Sequence, residues 1–166
     1  MISIIAAIAE NGEIGAANDL LWRLPADMKR FKAQTVGHTV VMGRRTYESL
    51  PKGALPERRN VVITSNTKAQ IDNCEIFNDL RSALEYLANE VSTDEIFIIG
   101  GESIYRQAVA FADKMYITRV HHTFPEADVF FPDIDPQSWI NTGNEAHEAD
   151  DRNPFRYTFQ TFIKKK

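Results

Sequence analysis

Residues 96 to 105 read IFIIGGESIY: four apolar residues, two glycines, then the polar opening of a further apolar pattern. The first run is short and almost continuously apolar, as a strand buried on both faces is, and such strands belong to parallel sheets. The glycine pair marks a tight turn, beyond which Ile104, Ala108 and Ala112 recur at helical spacing. Strand, turn and helix make the repeating unit of an α/β fold. The same unit recurs outward along the chain. Residues Ile2 to Ala9, Thr39 to Met42, Val61 to Thr64 and Met115 to Val120 have the same length and apolarity. The segment 79–90, DLRSALEYLANE, sets Leu80, Ala83, Leu84, Leu87 and Ala88 on one face behind an Asp79 cap. A helix over Ala26 to Gln34 follows Pro25. The closing segment 155–163, FRYTFQTFI, alternates between two unlike faces and predicts an antiparallel strand at an edge. The expected architecture is a central, mostly parallel twisted sheet of about eight strands with helices on both faces, binding ligands at the strands' carboxyl ends.

The chain has 166 residues, 43% hydrophobic and 25% charged, which suits one globular domain over residues 1–166. Its net charge is -4, and Lys164 to Lys166 form the only basic cluster, so a nucleic-acid partner is not expected. A lone Cys74 makes no internal disulfide, and the N-terminus opens on a strand pattern rather than a leader. No stretch reaches the roughly 18 to 20 apolar residues of a membrane helix. These features predict a cytoplasmic protein that acts on small molecules, with no membrane partner.

Three constellations carry chemistry. In WRLPADMKRF (22–31), Asp27, Met28 and Phe31 share a helix face. Asp27 reads either as a first-turn acid that complements the helix dipole, or as a carboxylate set among apolar groups to bind the paired donors of an aminopyrimidine edge. In MGRRTYESLP (42–51), Gly43 permits close backbone approach, and Arg44, Arg45 and Thr46 open a helix. The arginines are either solvated surface or a phosphate site; with Thr64, Ser65 and Asn66 ending the neighbouring strand, Arg44 and Ser65 suit a 2'-phosphate and favour NADPH over NADH. The third is the Gly100–Gly101 turn, which a tight strand-to-helix connection explains as well as a cofactor does. The loop ENGEIGAANDLLW (10–22) is an ordinary surface loop or a lid, and Arg58 is solvated or pairs with a substrate carboxylate. The histidines show no metal-ligand spacing, so no metal is expected.

In this order, ISIIAAIA, NGEIG, the W-x-L-P-A-D run at 22–27, VVMGRRTYESL, LPERRNVVITS, IFIIGGESIY, MYITRV and VFFPDI resemble the dihydrofolate reductases of bacterial chromosomal type, from Met1 almost to the end. That resemblance implies NADPH-dependent reduction of 7,8-dihydrofolate to 5,6,7,8-tetrahydrofolate in a monomer that also binds antifolate-like molecules. It implies that Asp27 anchors the pterin with support from Thr118, and that Ile5, Met28, Phe31, Leu50, Leu55 and Ile99 line the ring slot while Arg58 holds the glutamate tail. It implies Asp27, Trp22 and Leu20 as catalytic residues, with water admitted under Leu20 to protonate N5. NADPH would use Ala7, Ile14, Gly15, Asn18, Leu20, Gly43, Arg44, Arg45, Thr46, Thr64, Ser65, Asn78, Gly100, Gly101, Glu102, Ser103, Ile104 and Tyr105. A cis peptide between Gly100 and Gly101 is also implied.

Three positions depart from the pattern. Leu21 stands where proline commonly precedes the tryptophan, which removes a backbone restraint from the lid. Ser103, where arginine can stand, and the acid Glu102 weaken the expected pyrophosphate site, leaving Arg45 to compensate. Asn78 replaces a lysine found in some relatives. Two rivals are a reductase of the same fold acting on a pyrimidine intermediate of riboflavin synthesis, which has no use for Trp22, Asp27 and Arg58 together, and a nonenzymatic nucleotide-binding module, which needs no apolar slot around Asp27.

Overall fold

Eight strands, drawn from both ends of the chain and its middle, form one sheet in the computed structural model, which describes residues 1–15, 21–66, 68–90 and 94–166. In chain order the elements begin with β1 (Ile2–Ala9), β2 (Glu13–Gly15), α1 (Pro25–Thr35), β3 (Thr39–Gly43), α2 (Arg44–Glu48), β4 (Arg59–Ile63) and β5 (Cys74–Phe77). They continue with α3 (Leu80–Glu90), β6 (Ile96–Gly100), α4 (Glu102–Ala108), β7 (Lys114–Val120), β8 (Val129–Phe130), β9 (Trp139–His147) and β10 (Tyr157–Lys164). The main sheet runs β5-β4-β3-β6-β1-β7-β10-β9, and β2 pairs with β8 in a separate ribbon. All pairings from β5 to β7 are parallel, whereas β10 runs antiparallel to both β7 and β9.

Alternation along the strands separates two cores. On one face Ile4, Val41, Val61 and Ile98 pack against Leu80, Ala83, Leu84 and Leu87 of α3 and Ile104 and Ala108 of α4. On the other, Ile5, Val40, Met42, Val62 and Phe97 pack against Phe31 of α1 and Tyr47 of α2. Helices therefore cover both faces, as the apolar runs required. The α3 cap is also as expected, since both Ser82 N–H (2.8 Å) and Ser82 Oγ (3.0 Å) donate to the Asp79 carboxylate. Ala88, in contrast, faces solvent.

The expected edge is corrected. β10 runs antiparallel but lies inside β9, which takes the edge. Residues 140–146 of β9 are all exposed, so the strand WINTGNEAH carries no apolar alternation to announce it. Its pairing with β10, from Tyr157 opposite His147 to Lys164 opposite Trp139, is what holds it.

Candidate active site

The parallel register gathers the carboxyl ends of β1, β3, β4 and β6 along one side of the sheet. Gly43 aligns with Ile63, Met42 with Gly100, and Ala7 with Thr118. Beside Ala7, the Thr118 hydroxyl donates to Asp27 Oδ1 at 2.5 Å, fixing one oxygen of the partly buried carboxylate. Burial pushes the Asp27 carboxyl up from its ordinary value, while the Thr118 hydrogen bond and the Arg30 charge oppose that rise. The α1 terminus that carries Asp27 lacks a local side-chain cap. Instead the buried Asn153 Oδ1 accepts the Ala26 N–H at 3.1 Å, and Asn153 Nδ2 donates to Asp150 Oδ1 at 3.0 Å.

Phe31, Leu50, Leu55 and Ile99 pack with Ile5 in the second core, and Phe31 lies one turn along α1 from Asp27. Met28 does not join them, being 57% exposed at the lip. Trp22 lies in a third cluster, 5.3 Å from Phe124 between ring centroids. Arg58 is held rather than loose: its Nε donates to the Pro56 carbonyl at 2.9 Å and its Nη1 to Thr35 Oγ1 at 3.1 Å. Leu55 and Arg58 are tied together by buried Asn60, whose Oδ1 accepts the Leu55 N–H and whose Nδ2 donates to the Leu55 and Arg58 carbonyls, each at 2.9 Å.

The second half of the site is built from backbone. The Gly100–Gly101 peptide is cis and Gly100 has φ +120°. A Cβ on Gly101 would meet Thr46 Oγ1 at 3.2 Å, one on Gly43 would meet Ile104 Cγ1 at 3.2 Å, and one on Gly100 would meet the Tyr105 ring at 3.2–3.3 Å. A side chain at any of these three positions would be crowded where β3 and β6 end. Arg44 and Arg45 are exposed beside this turn, and neither forms an ion pair among the described residues. Ser65 and Asn78 are exposed, and Thr64 Oγ1 accepts the Asn66 N–H at 3.3 Å.

Ile104 and Tyr105 are buried beneath the turn, with the Tyr105 hydroxyl donating to the Ile5 carbonyl at 2.9 Å. Glu102 accepts the Phe130 N–H at 2.8 Å and lies 3.6 Å from Arg106 Nη2. Ser103 Oγ accepts from Gln107 Nε2 at 3.2 Å. Ile14 packs on the main core, and the Gly15 carbonyl accepts the Asp128 N–H at 3.0 Å. Asn18 and Leu20 lie outside the described residues.

Four residues went unread in the sequence: Asn60, Asn153 and Arg30 around the site, and Glu13 in β2. Glu13 is 2% exposed, accepting the Asn11 N–H at 2.6 Å and the Phe124 N–H at 2.7 Å. A polar residue at the head of the apolar run NVVI was the one available signal, for Asn60. Among the described residues, no group of three His, Cys, Asp or Glu could hold a metal ion. No helix among them is long and apolar enough to cross a membrane.

Fold and site define a class: an open α/β sheet with a partly buried carboxylate, an apolar cluster and an arginine-flanked glycine turn toward its strand ends, where enzymes of open α/β architecture bind their ligands. Comparison with known proteins supplies the family. The dihydrofolate reductase family model matches residues 1–164. The dihydrofolate reductase of Bacillus subtilis strain 168 is 38% identical over 165 residues, 99% of this chain and 95% of that one. The type 3 dihydrofolate reductase of Salmonella typhimurium is 40% identical over 166 residues, 100% and 99% of the two chains. A dihydrofolate reductase from Enterococcus faecalis, solved with NADP(H) and RAB-propyl, superposes with a TM-score of 0.91 at 31% identity, covering 100% of this chain and 97% of that one. The chain belongs to the dihydrofolate reductase family.

Proposed function

We propose that the chain catalyses NADPH-dependent reduction of 7,8-dihydrofolate to 5,6,7,8-tetrahydrofolate as one domain, with Asp27 as the anchor of the pterin ring. The observation that carries this reading is the Asp27 carboxylate, held by Thr118 at 2.5 Å and one helical turn from Phe31, which packs with Ile5, Leu50, Leu55 and Ile99; we read these apolar groups as the walls of a ring slot. A carboxylate offers two acceptors to the N3–H and 2-amino donors of a pterin, a bidentate match that fixes the ring's rotation in the slot. Thr118 occupies one lone pair of Oδ1 and leaves the rest of the carboxylate for the ring. Arg58, already positioned by Pro56 and Thr35, suits the glutamate tail.

The cofactor reading is supported by the glycine turn, where a Cβ would be tightly crowded, and by the two arginines beside it, which form no ion pair among the described residues. Arg44 and Ser65 would hold the 2'-phosphate, with Arg45 and Thr46 nearer the diphosphate. NADPH supplies the hydride when bound. Asp27 and the apolar walls orient the ring and exclude bulk water around it, and N5 is protonated through water, favoured by the nearby Asp27 charge. The same slot would take antifolate-like rings that carry paired amino donors. Incubating the protein with NADPH and dihydrofolate and following cofactor absorbance tests the assignment. Turnover that needs both reactants, and is slower with NADH, is expected; a protein that binds both but oxidises no NADPH would overturn it.

A further inference from the structure

Arg30 lies one turn beyond Asp27 on α1, and it has a use that neither the slot nor the cofactor turn requires. Thr118, Phe159 and Glu145 stand directly opposite one another across β7, β10 and β9. Opposed residues in a sheet project to the same face, so a hydroxyl, an aromatic ring and a carboxylate form one row under α1. The Arg30 guanidinium sits on the middle of that row, 4.2 Å from the Phe159 ring centroid and 5.9 Å from that of Tyr116. Stacking on an aromatic face holds a planar guanidinium in place without neutralising it. On one side of the ring Thr118 carries Asp27, and on the other stands Glu145. Glu145 Oε2 is in turn 2.7 Å from His147 Nε2, and His147 stacks on Tyr157 at 5.0 Å.

We infer that Arg30 is a positioning residue for the charge of Asp27: fixed on Phe159 between two carboxylates, it shares its charge between Asp27 and Glu145 and so sets how far the site remains anionic as pH falls. The groups facing Asp27 are Thr118 from β7, Arg30 from its own helix, the Tyr105 hydroxyl from α4 and Tyr157 from β10. Arg30 is the cation among them. Those facing Arg30 are Asp27, Glu145 and Tyr116. Burial disfavours the charged form of both Asp27 and Arg30, and their mutual attraction opposes that penalty in each. Glu145 stands on the far side of the same cation and lies 2.7 Å from His147, so the row of charged groups runs out to the outermost strand.

The effect on catalysis rests on the reading of Asp27 as ring anchor, so the experiment measures the carboxyl and the reaction separately. In the full chain, the Asp27 carboxyl carbon is titrated by NMR in the parent, Arg30→Gln, Arg30→Lys and Glu145→Gln. The pH profile of kcat/KM for dihydrofolate is recorded alongside. Removing the cation should raise the Asp27 midpoint by about 0.3 to 0.6 of a pH unit, which lowers kcat/KM about two- to fourfold on the acid side of the profile. Arg30→Lys should restore most of the parent behaviour, and Glu145→Gln should shift the midpoint the other way by a smaller amount. An Asp27 midpoint unmoved in Arg30→Gln, or moved in the same direction by both charge removals, overturns the inference. A midpoint that moves while the pH profile stays fixed supports Arg30's role and rejects Asp27 as the ring anchor.

Discussion

The two halves of the site are built on opposite plans. Around Asp27 the side chains are already committed to one another: Thr118 to Asp27, Asn153 to the helix that carries it, Asn60 to Leu55 and Arg58. Around Gly43 and Gly100 the backbone itself forms the surface, and the charged groups above it, Arg44 and Arg45, have no protein partner among the described residues. On the proposed reading, acceptors that read the donor pattern of a ring must be held at fixed angles, and these second contacts hold them. A site for phosphate needs proximity and positive charge, and the ligand completes it. The first half should therefore fail through geometry, whereas the second should fail gradually and in a salt-dependent way.

Breaking the anchor should have the largest effect. Asp27→Asn is expected to lower kcat/KM for dihydrofolate by about a hundredfold or more at neutral pH while the Kd for NADPH holds; comparable loss on both ligands would dissolve the division into halves. Its effect on stability should have the opposite sign. Burial raises the folded-state Asp27 carboxyl above its unfolded value, so the folded state holds the proton more tightly, and stability declines as pH rises from the ordinary carboxylate range through that raised value. The amide has no charge to bury, so the variant should melt about 2–4 °C higher than the parent at pH 7 in a thermal scan.

Gly100→Ala comes next, because φ +120° strains any L side chain and its Cβ would crowd the Tyr105 ring at 3.2–3.3 Å. A loss of about 2–3 kcal/mol in urea unfolding is expected, with weakened NADPH binding in calorimetry; a variant as stable as the parent would show that the turn yields easily. Asn60→Ala should cost about 1–2 kcal/mol and raise the KM for dihydrofolate about threefold without touching the Kd for NADPH. Arg44→Ala should have the smallest effect, narrowing the preference for NADPH over NADH about fivefold, less so as salt is raised. A preference unchanged at low salt would remove Arg44 from the 2'-phosphate.

What could be read beforehand divides along a related line. The strand runs, the α3 face with its Asp79 cap, and the Gly-Gly turn are written in local spacing, and the structure has each of them. Asp27 and Phe31 were legible as one helix face, but the same spacing placed Met28 inward, and it lies at the lip. Periodicity finds a face without saying where the face ends. Glu13 looked like a loop residue because the Phe124 N–H it accepts comes from 111 residues further along. β9 escaped because a strand exposed on its residues 140–146 has no hydrophobic pattern, and with it went the identity of the edge and the row that seats Arg30. Long-range polar pairing leaves no period in a single sequence.

The Asn153 cap also bears on the order in which the protein is made. The first helix of the chain receives its cap from a residue 127 positions later, and Thr118 sits on a strand whose outer neighbour is β10, close to the C-terminus. A chain emerging from the ribosome can pair β1, β3, β4 and β6 while α1 remains uncapped and β7 lacks its outer partner. The surroundings of the Asp27 carboxylate are therefore assembled from both ends of the chain, and they are complete only once residues 150–164 are in place.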